Sequence, residues 1–256
     1  MKVVFPFKGF ILSFLEILSE ISYTTLYFFS SLKYVKKYFR EIVYEIYEIG
    51  HNSLLLVIFT SSFVGMVATI QTAYQIKDYV PVIYIGSGVA KACMIELGPV
   101  ITGLVVAGRI SSGIAAELGT MVVTEQIDAL NVMGINPYRF LVMPRIVGGI
   151  ISLPLLTSIA ILVAIFSGMF IANLTGVANY FEFSRGTKMF FLPKDLFGGL
   201  LKSMFFGYAL TLSGAIAGLS SEKGAEGVGK ATTKAVVLSS ILILVLDYIL
   251  GILIFG

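Results

Sequence analysis

Long apolar runs separated by short polar segments dominate the pattern of this sequence. Residues 52–76 and 146–172 contain no charged residue, while the apolar stretches at about 90–118, 197–219 and 235–255 each contain at least one. A helix needs roughly 20 apolar residues to cross the hydrocarbon core of a membrane, which is about 30 Å thick. The pattern therefore predicts five membrane-spanning helices.

The composition agrees with this prediction. Hydrophobic residues make up 57% of the chain and charged residues 13%, whereas about a quarter of the residues of a soluble domain are charged. The net charge of +3 is too small to indicate nucleic-acid binding, and the single cysteine, Cys93, excludes an internal disulfide. We predict an all-α polytopic membrane protein.

The first 50 residues are too charged to span a membrane. Between Tyr34 and Ile49, apolar residues recur at helical spacing with charged residues mostly opposite, which is typical of an amphipathic helix lying in the membrane interface. A second apolar face comprises Phe10, Phe14, Ile17 and Ile21. A helix packed on another subunit is the alternative. We divide the chain into an N-terminal interfacial helical region, 1–50, and a transmembrane domain, 51–256.

Lys and Arg residues indicate the orientation of the spans. They are more numerous on the side of the membrane that holds the N-terminus, largely because of the segment from Lys33 to Arg40. Since such residues are enriched on the cytoplasmic side, we expect the N-terminus in the cytoplasm. The segment between the second and third spans is then cytoplasmic too.

That segment, VVTEQIDALNVMGINPYR at 122–139, carries the start and stop signals of a short helix. Thr124 is a good N-cap, and Glu125 and Asp128 follow near the positive end of the helix dipole. Gly134 can adopt the left-handed turn that ends a helix, and Pro137 prevents its continuation. The predicted helix covers about 124–134.

One side of this short helix is apolar, with Ile127, Leu130 and Met133 forming a ridge. A cytoplasmic helix with an apolar ridge and an acidic flank suits docking into a groove on a soluble partner. An ordinary interfacial loop helix is the alternative.

Small residues recur every four positions in the second span. The row comprises Gly103, Ala107, Ser111, Ala115 and Gly119. Such rows allow close approach of helix backbones in lipid. We expect a helix–helix interface here, either within one chain or across a dimer.

Three ionisable residues, Glu96, Lys202 and Asp247, are predicted inside the outer half of the membrane at comparable depth. Charges inside a membrane are costly and are therefore candidate functional sites. We expect a polar cluster that lines a cavity or gates its outward opening, with a purely structural ion pair as the alternative. Arg109, nearer the cytoplasm, is expected to hold Glu117 or a neighbouring loop carbonyl.

The sequence contains no GxxxxGK[ST] phosphate loop, no HExxH motif and no hydrolase elbow. We predict no catalytic residue, no metal site and no cofactor in this chain. If transport is driven, its energy comes from a partner or from an ion gradient.

The central block ELGPVITGLVVAGRISSGIAAELGTMVVTEQIDALNVMGINPYRFLVMPR resembles the MlaE/YrbE permeases, which belong to lipid-transporting ABC systems that work with MCE-domain proteins. The resemblance covers roughly 45–250 and includes EIGHNSL, FVGMVATIQ, SLPLLT and GAEGVGKATTKAVV. One departure is Ile95, where some members have Arg before the Glu of ELGP.

The resemblance implies a homodimeric permease subunit of the bacterial inner membrane that moves phospholipid or a related lipid. Its implied partners are a cytoplasmic P-loop ATPase, which binds the ATP, and a periplasmic MCE-domain protein, with a small STAS-domain protein as a further candidate. The segment TEQIDALNVMG corresponds to the coupling helix, which sits in a groove of the ATPase. Its implied contact residues are Glu125, Gln126, Ile127, Asp128, Leu130, Met133 and Gly134.

The resemblance also implies a lipid cavity between two protomers. The residues that match its wall are Gln71, Tyr74, Glu96 and Leu97. An ion-coupled secondary transporter or channel is the alternative class, although the sequence shows no convincing inverted repeat of the kind such proteins carry. A structural anchor that moves nothing is a third possibility. The lack of a transit peptide favours a bacterial inner membrane over an organelle.

Overall fold

The computed structural model describes residues 6–76 and 79–256, with the backbone alone for residues 6–14, 16 and 17. Phe10, Phe14 and Ile17 of the predicted apolar face therefore lie outside the described side chains. Within these ranges the helices are α1 (Pro6–Ser31), α2 (Phe39–Ile76), α3 (Ile83–Ala92), α4 (Gly98–Val123), α5 (Gln126–Val132), α6 (Met143–Leu174), α7 (Tyr180–Met189), α8 (Pro193–Leu219) and α9 (Ala225–Phe255). Two π-helical turns, Cys93–Leu97 and Tyr138–Val142, lead directly into α4 and α6.

Five helical stretches of the described chain are long and apolar enough to cross a membrane. They are Phe39–Ile76, Ile83–Val123, Tyr138–Leu174, Pro193–Leu219 and Ala225–Phe255. The predicted number of spans and the all-helical fold class are confirmed, and the chain is a membrane protein. Helix α5 lies at one end of the spans and α7 at the other, because they precede and follow α6.

The first span is longer than predicted. Helix α2 has 38 residues and extends roughly 57 Å at about 1.5 Å per residue. It passes residue 50 without a break, so the part of the predicted amphipathic segment from Phe39 to Ile49 continues directly into the span, while residues 35–38 form a turn. The division of the chain at residue 50 stays a prediction.

Helix α2 packs along α6 through small side chains, a row that the sequence analysis did not identify. The buried members are Ser53, Ser61, Gly65, Thr69 and Ala73. A Cβ added to Gly65 would lie 2.0 Å from the Ala164 carbonyl oxygen. The two backbones are therefore in contact, as expected where lipid gives no hydrophobic gain for helix association.

The small residues of α4 pack within the chain, against α8 and α9. The Ser111 hydroxyl donates to the Leu210 carbonyl oxygen over 2.8 Å, and Ala115 is buried with Ala217 and Ala235. All five members of the row, Gly103, Ala107, Ser111, Ala115 and Gly119, are buried. Of the two arrangements left open above, the structure has the intrachain one.

The contact between α6 and α8 provides a test of this packing. A Cβ at Gly207 would lie 2.2 Å from the Gly149 carbonyl oxygen, whereas a Cβ at Gly50, also inside a helix, meets nothing within 4 Å. We expect Gly207→Ala to lower the free energy of unfolding by roughly 1–3 kcal/mol through overpacking. Gly50→Ala should leave it unchanged or raise it by up to about 1 kcal/mol, because alanine has the higher helix propensity. Chemical unfolding of the detergent-solubilised chain measures both. An equal effect of the two changes would contradict the packing.

Candidate functional site

Lys202 lies at the centre of an ion cluster in the half of the spans nearest α7. Its Nζ is 2.8 Å from Glu96 Oε1 and 2.7 Å from Asp247 Oδ1. The Lys202 side chain is fully buried, and the Glu96 side chain is 46% exposed. The residues come from α8, the first π-helical turn and α9, so the structure brings together the three charges that the sequence singled out.

The first π-helical turn positions Glu96. This turn inserts one more residue per hydrogen-bonded ring than an α-helix, and such turns are frequent at functional sites. Gly98 follows the turn, where a Cβ would lie 2.5 Å from the Cys93 carbonyl oxygen. Lys202 Nζ also lies 3.4 Å from the Ile95 carbonyl oxygen and donates to it.

The cluster contains one cation and two carboxylates, so its formal charge is negative when all three are ionised. The ammonium group has three donors, which suffice for both carboxylates and the Ile95 carbonyl. Because Glu96 is half exposed, the cluster presents part of a carboxylate at the surface of the chain. It can therefore contact a polar group of a ligand without losing its internal ion pairs.

A second ion cluster lies at the opposite end of the spans, near α5. The buried Arg145 side chain is 2.8 Å from Glu117 and 3.4 Å from Glu45, and it donates to the Leu141 carbonyl oxygen over 2.9 Å. It joins α2, α4 and α6. Arg145 was not among the predicted site residues; its position directly after Pro144, immediately before the uncharged run 146–172, was the available signal.

The prediction that Arg109 holds Glu117 or a loop carbonyl was wrong. Arg109 Nη1 donates to Ser53 Oγ over 2.9 Å, and Nη2 lies 3.9 Å from Glu48 Oε1. Glu117 is eight residues further along the same helix, roughly 12 Å away, and pairs with Arg145 instead. Arg109 therefore links α4 to α2.

Helix α5 is shorter than predicted, and its first residue is preceded by a different cap. Thr124 is not its N-cap: the hydroxyl donates to the Thr120 carbonyl oxygen over 2.8 Å. The cap position belongs to Glu125, whose φ of 60° is left-handed. The reason is that α4 continues to Val123, so Thr124 ends that helix rather than beginning the next.

The end of α5 has the geometry that the sequence indicated. Gly134 has a φ of +75°, and the Ile135 N–H donates to the Leu130 carbonyl oxygen over 2.9 Å. This is the pattern of a helix that stops at a left-handed glycine.

The apolar ridge of α5 does not project outward as a whole. Ile127 and Leu130 pack against the main core of the chain, while Met133 is 64% exposed and Val132, which the sequence analysis did not select, is 89% exposed. No described part of the chain packs over either of these two apolar side chains. Glu125, Gln126 and Asp128 are exposed beside them.

A cleft of about 420 Å³ separates α1 from α5. Tyr27 of α1 lies with its ring centroid 4.7 Å from that of Tyr23 and 5.1 Å from that of Tyr138. The hydrogen bond with Tyr27 raises the pKa of Tyr23 to about 12. Asp128 and Asn131 of α5 line the other side. Helix α1 thus contacts the π-helical turn that follows α5.

The remaining candidates lie along α2 and the first π-helical turn. Gln71 and Tyr74 are exposed on α2. Leu97 lines a void of about 10 Å³ together with Thr60 and Val64, which at helical spacing lie on the same side of α2 as Gln71. That void holds no more than about one water molecule, so it is not itself a lipid site.

Five spans, charges that are compensated between them and a short helix at one end of the bundle define a polytopic α-helical membrane protein. The family model described as Permease MlaE matches residues 42–253. The chain belongs to the MlaE permease family.

Several relatives match along most of their length. A probable ABC transporter permease protein of Rickettsia prowazekii is 37% identical over 83% of this chain and 82% of its own length. A second, from Synechocystis, is 38% identical over 81% of this chain and 79% of its own length. The intermembrane phospholipid transport system permease protein MlaE of Haemophilus influenzae is 33% identical over 87% and 85%, respectively.

Removing the buried cation tests the Lys202 cluster. We expect Lys202→Met to lower the free energy of unfolding by roughly 2–4 kcal/mol, because it leaves two carboxylates facing each other without their cation. The triple variant Lys202→Met, Glu96→Gln, Asp247→Asn should recover much of that loss, since no uncompensated charge remains. Chemical unfolding in detergent measures both. A triple variant as unstable as the single one would contradict the ionic account.

Proposed function

We propose that this chain is the membrane-spanning permease subunit of an ABC-type transporter that moves phospholipid or a related lipid, driven by a separate ATPase. The proposal rests on the exposed surface of α5. This helix follows directly from a span, and Val132 and Met133 are exposed there beside acidic side chains. An exposed apolar pair with an acidic flank suits a groove with basic walls on a soluble protein. The names of the relatives, an ABC transporter permease and a phospholipid transport permease, support this function.

The proposed location is a bacterial inner membrane, with the N-terminus and α5 in the cytoplasm. The excess of Lys and Arg on the α5 side supports this orientation. A cytoplasmic P-loop ATPase then binds and hydrolyses ATP, and its movement reaches the spans through α5. An MCE-domain protein on the α7 side exchanges lipid with the permease, and a small STAS-domain protein is a further candidate partner.

Two copies of the chain are proposed to enclose the lipid. Within the described part of one chain, Gln71, Tyr74 and Glu96 lie on exposed or half-exposed surfaces, and the void beside Leu97 is too small for a lipid. Gly108 of α4 is also exposed, which leaves room for close approach along that face. A second copy opposite these faces turns an open surface into a cavity.

The Glu96–Lys202–Asp247 cluster is proposed to act at the outward end of this cavity. Its half-exposed carboxylate lies at the surface that the lipid passes. That carboxylate can accept hydrogen bonds from an ammonium or hydroxyl group of a lipid headgroup.

Docking of the ATPase is tested by a pair of variants that each add one negative charge to α5. We expect Val132→Asp to abolish co-purification of the ATPase, because a charge replaces the most exposed apolar side chain of the helix. Asn131→Asp, at an exposed polar position of the same helix, should leave co-purification largely intact. Both variants should retain the membrane fold, since neither side chain is buried. Equal recovery of the ATPase with both variants would argue against α5 as the docking helix.

Transport is tested by reconstituting the complete complex in liposomes and following the ATP-dependent transfer of labelled phospholipid. Glu96→Gln, Lys202→Met and Asp247→Asn are each expected to lose most of the transfer, because each disrupts the ion cluster. Lys230→Met, which removes two exposed ion pairs at the α5 end, is the control and should transfer normally. Wild-type rates in all three cluster variants would mean that the cluster has no role in transport.

A further inference from the structure

Helix α7 has an exposed face that none of the preceding roles uses. Phe181, Arg185, Lys188 and Met189 follow one another at intervals of four, three and one residues, so at 3.6 residues per turn they share a face. Phe181 is 73% and Met189 63% exposed. Together with Ser184 they line a groove of about 390 Å³.

The opposite face of α7 is fixed against the start of the second span. Phe183 and Gly186 are buried, and a Cβ at Gly186 would lie 1.9 Å from the Ile83 carbonyl oxygen of α3. A capping box starts the helix, in which Asn179 accepts from the Glu182 N–H over 2.9 Å and Glu182 accepts from the Asn179 N–H over 3.2 Å. The groove therefore lies on a held helix, not on a loose loop.

The two cations of the groove are not neutralised by the protein. Neither Arg185 nor Lys188 forms an ion pair with any residue that the structure describes. The nearby carboxylate of Glu182 is occupied by the helix cap. Uncompensated Arg and Lys side chains side by side are suited to a phosphate group.

The position of α7 along the chain places it at the membrane surface. It lies between the end of α6 at Leu174 and the start of α8 at Pro193, at the level where two spans leave the membrane. Exposed Phe181 and Met189 beside two cations that are unpaired within the described chain are the distribution of a helix that lies at the boundary between headgroups and hydrocarbon. A molecule that joins an anionic head to an apolar chain satisfies both halves of the groove.

We propose that the α7 groove binds an anionic phospholipid of the surrounding membrane, with Arg185 and Lys188 on its phosphate and Phe181 and Met189 against its glycerol backbone and upper acyl chain. The site is separate from the Lys202 cluster. It requires only that α7 lie at the membrane surface, so it stands even if the chain moves no lipid.

The test uses the full chain in detergent, titrated with phosphatidylglycerol or phosphatidylcholine and observed by native mass spectrometry. The unaltered chain should bind phosphatidylglycerol more tightly than phosphatidylcholine. Arg185→Gln with Lys188→Gln should reduce this preference by about fivefold for each cation removed. Phe181→Asn should weaken both lipids by a similar factor, because it removes apolar contact without changing the charge.

The matched control is Lys223→Gln with Lys230→Gln, which makes the same change in net charge at two exposed lysines away from α7. This control should keep the preference for phosphatidylglycerol. An equal loss in both double variants would overturn the proposal, because net charge alone would explain it. An unchanged preference in the α7 variant would overturn the proposal too. So would native mass spectra in which the unaltered chain carries a co-purified acidic protein that the α7 variant lacks, while both bind lipid equally.

Discussion

A charge in the interior of a membrane must be compensated by the protein, because no water solvates it there. The structure meets this constraint twice. Lys202 joins α8 to α9 and to the turn before α4, while Arg145 joins α6 to α2 and to the far end of α4. The two ion clusters together contact all five spans, and α4, with its preceding turn, takes part in both. The relative placement of the spans thus depends on two buried cations near opposite ends.

Close contact between helix backbones completes this arrangement. Gly65 of α2 lies against α6, and Gly207 of α8 lies against Gly149 of α6, so little space is left for helices to slide past one another. Helix α4 has a special position, since α5 follows it directly and both ion clusters include it or its preceding turn. In the proposed transporter, a force on α5 reaches α4 first and then both ends of the helix bundle.

Much of this architecture could be predicted from sequence, and the failures have a common cause. Span positions follow from composition, and the meeting of Glu96, Lys202 and Asp247 follows from equal depth in a membrane. The direction of the side chains on α5 cannot be predicted in this way, because Ile127 and Leu130 point inward only when α5 packs against the core. The ion cluster of Arg145 could not be predicted for a similar reason, because its partners lie on two other helices. The short amphipathic helix α7 carries too few residues for its pattern to stand out between two spans.

Native mass spectrometry of the tagged chain, extracted gently from its own membranes, tests the central claim most directly. A permease subunit that is coupled through α5 should appear as two copies bound to a P-loop ATPase, with phospholipid retained in the complex. A stable chain that carries no ATPase in any of several mild detergents would contradict the account.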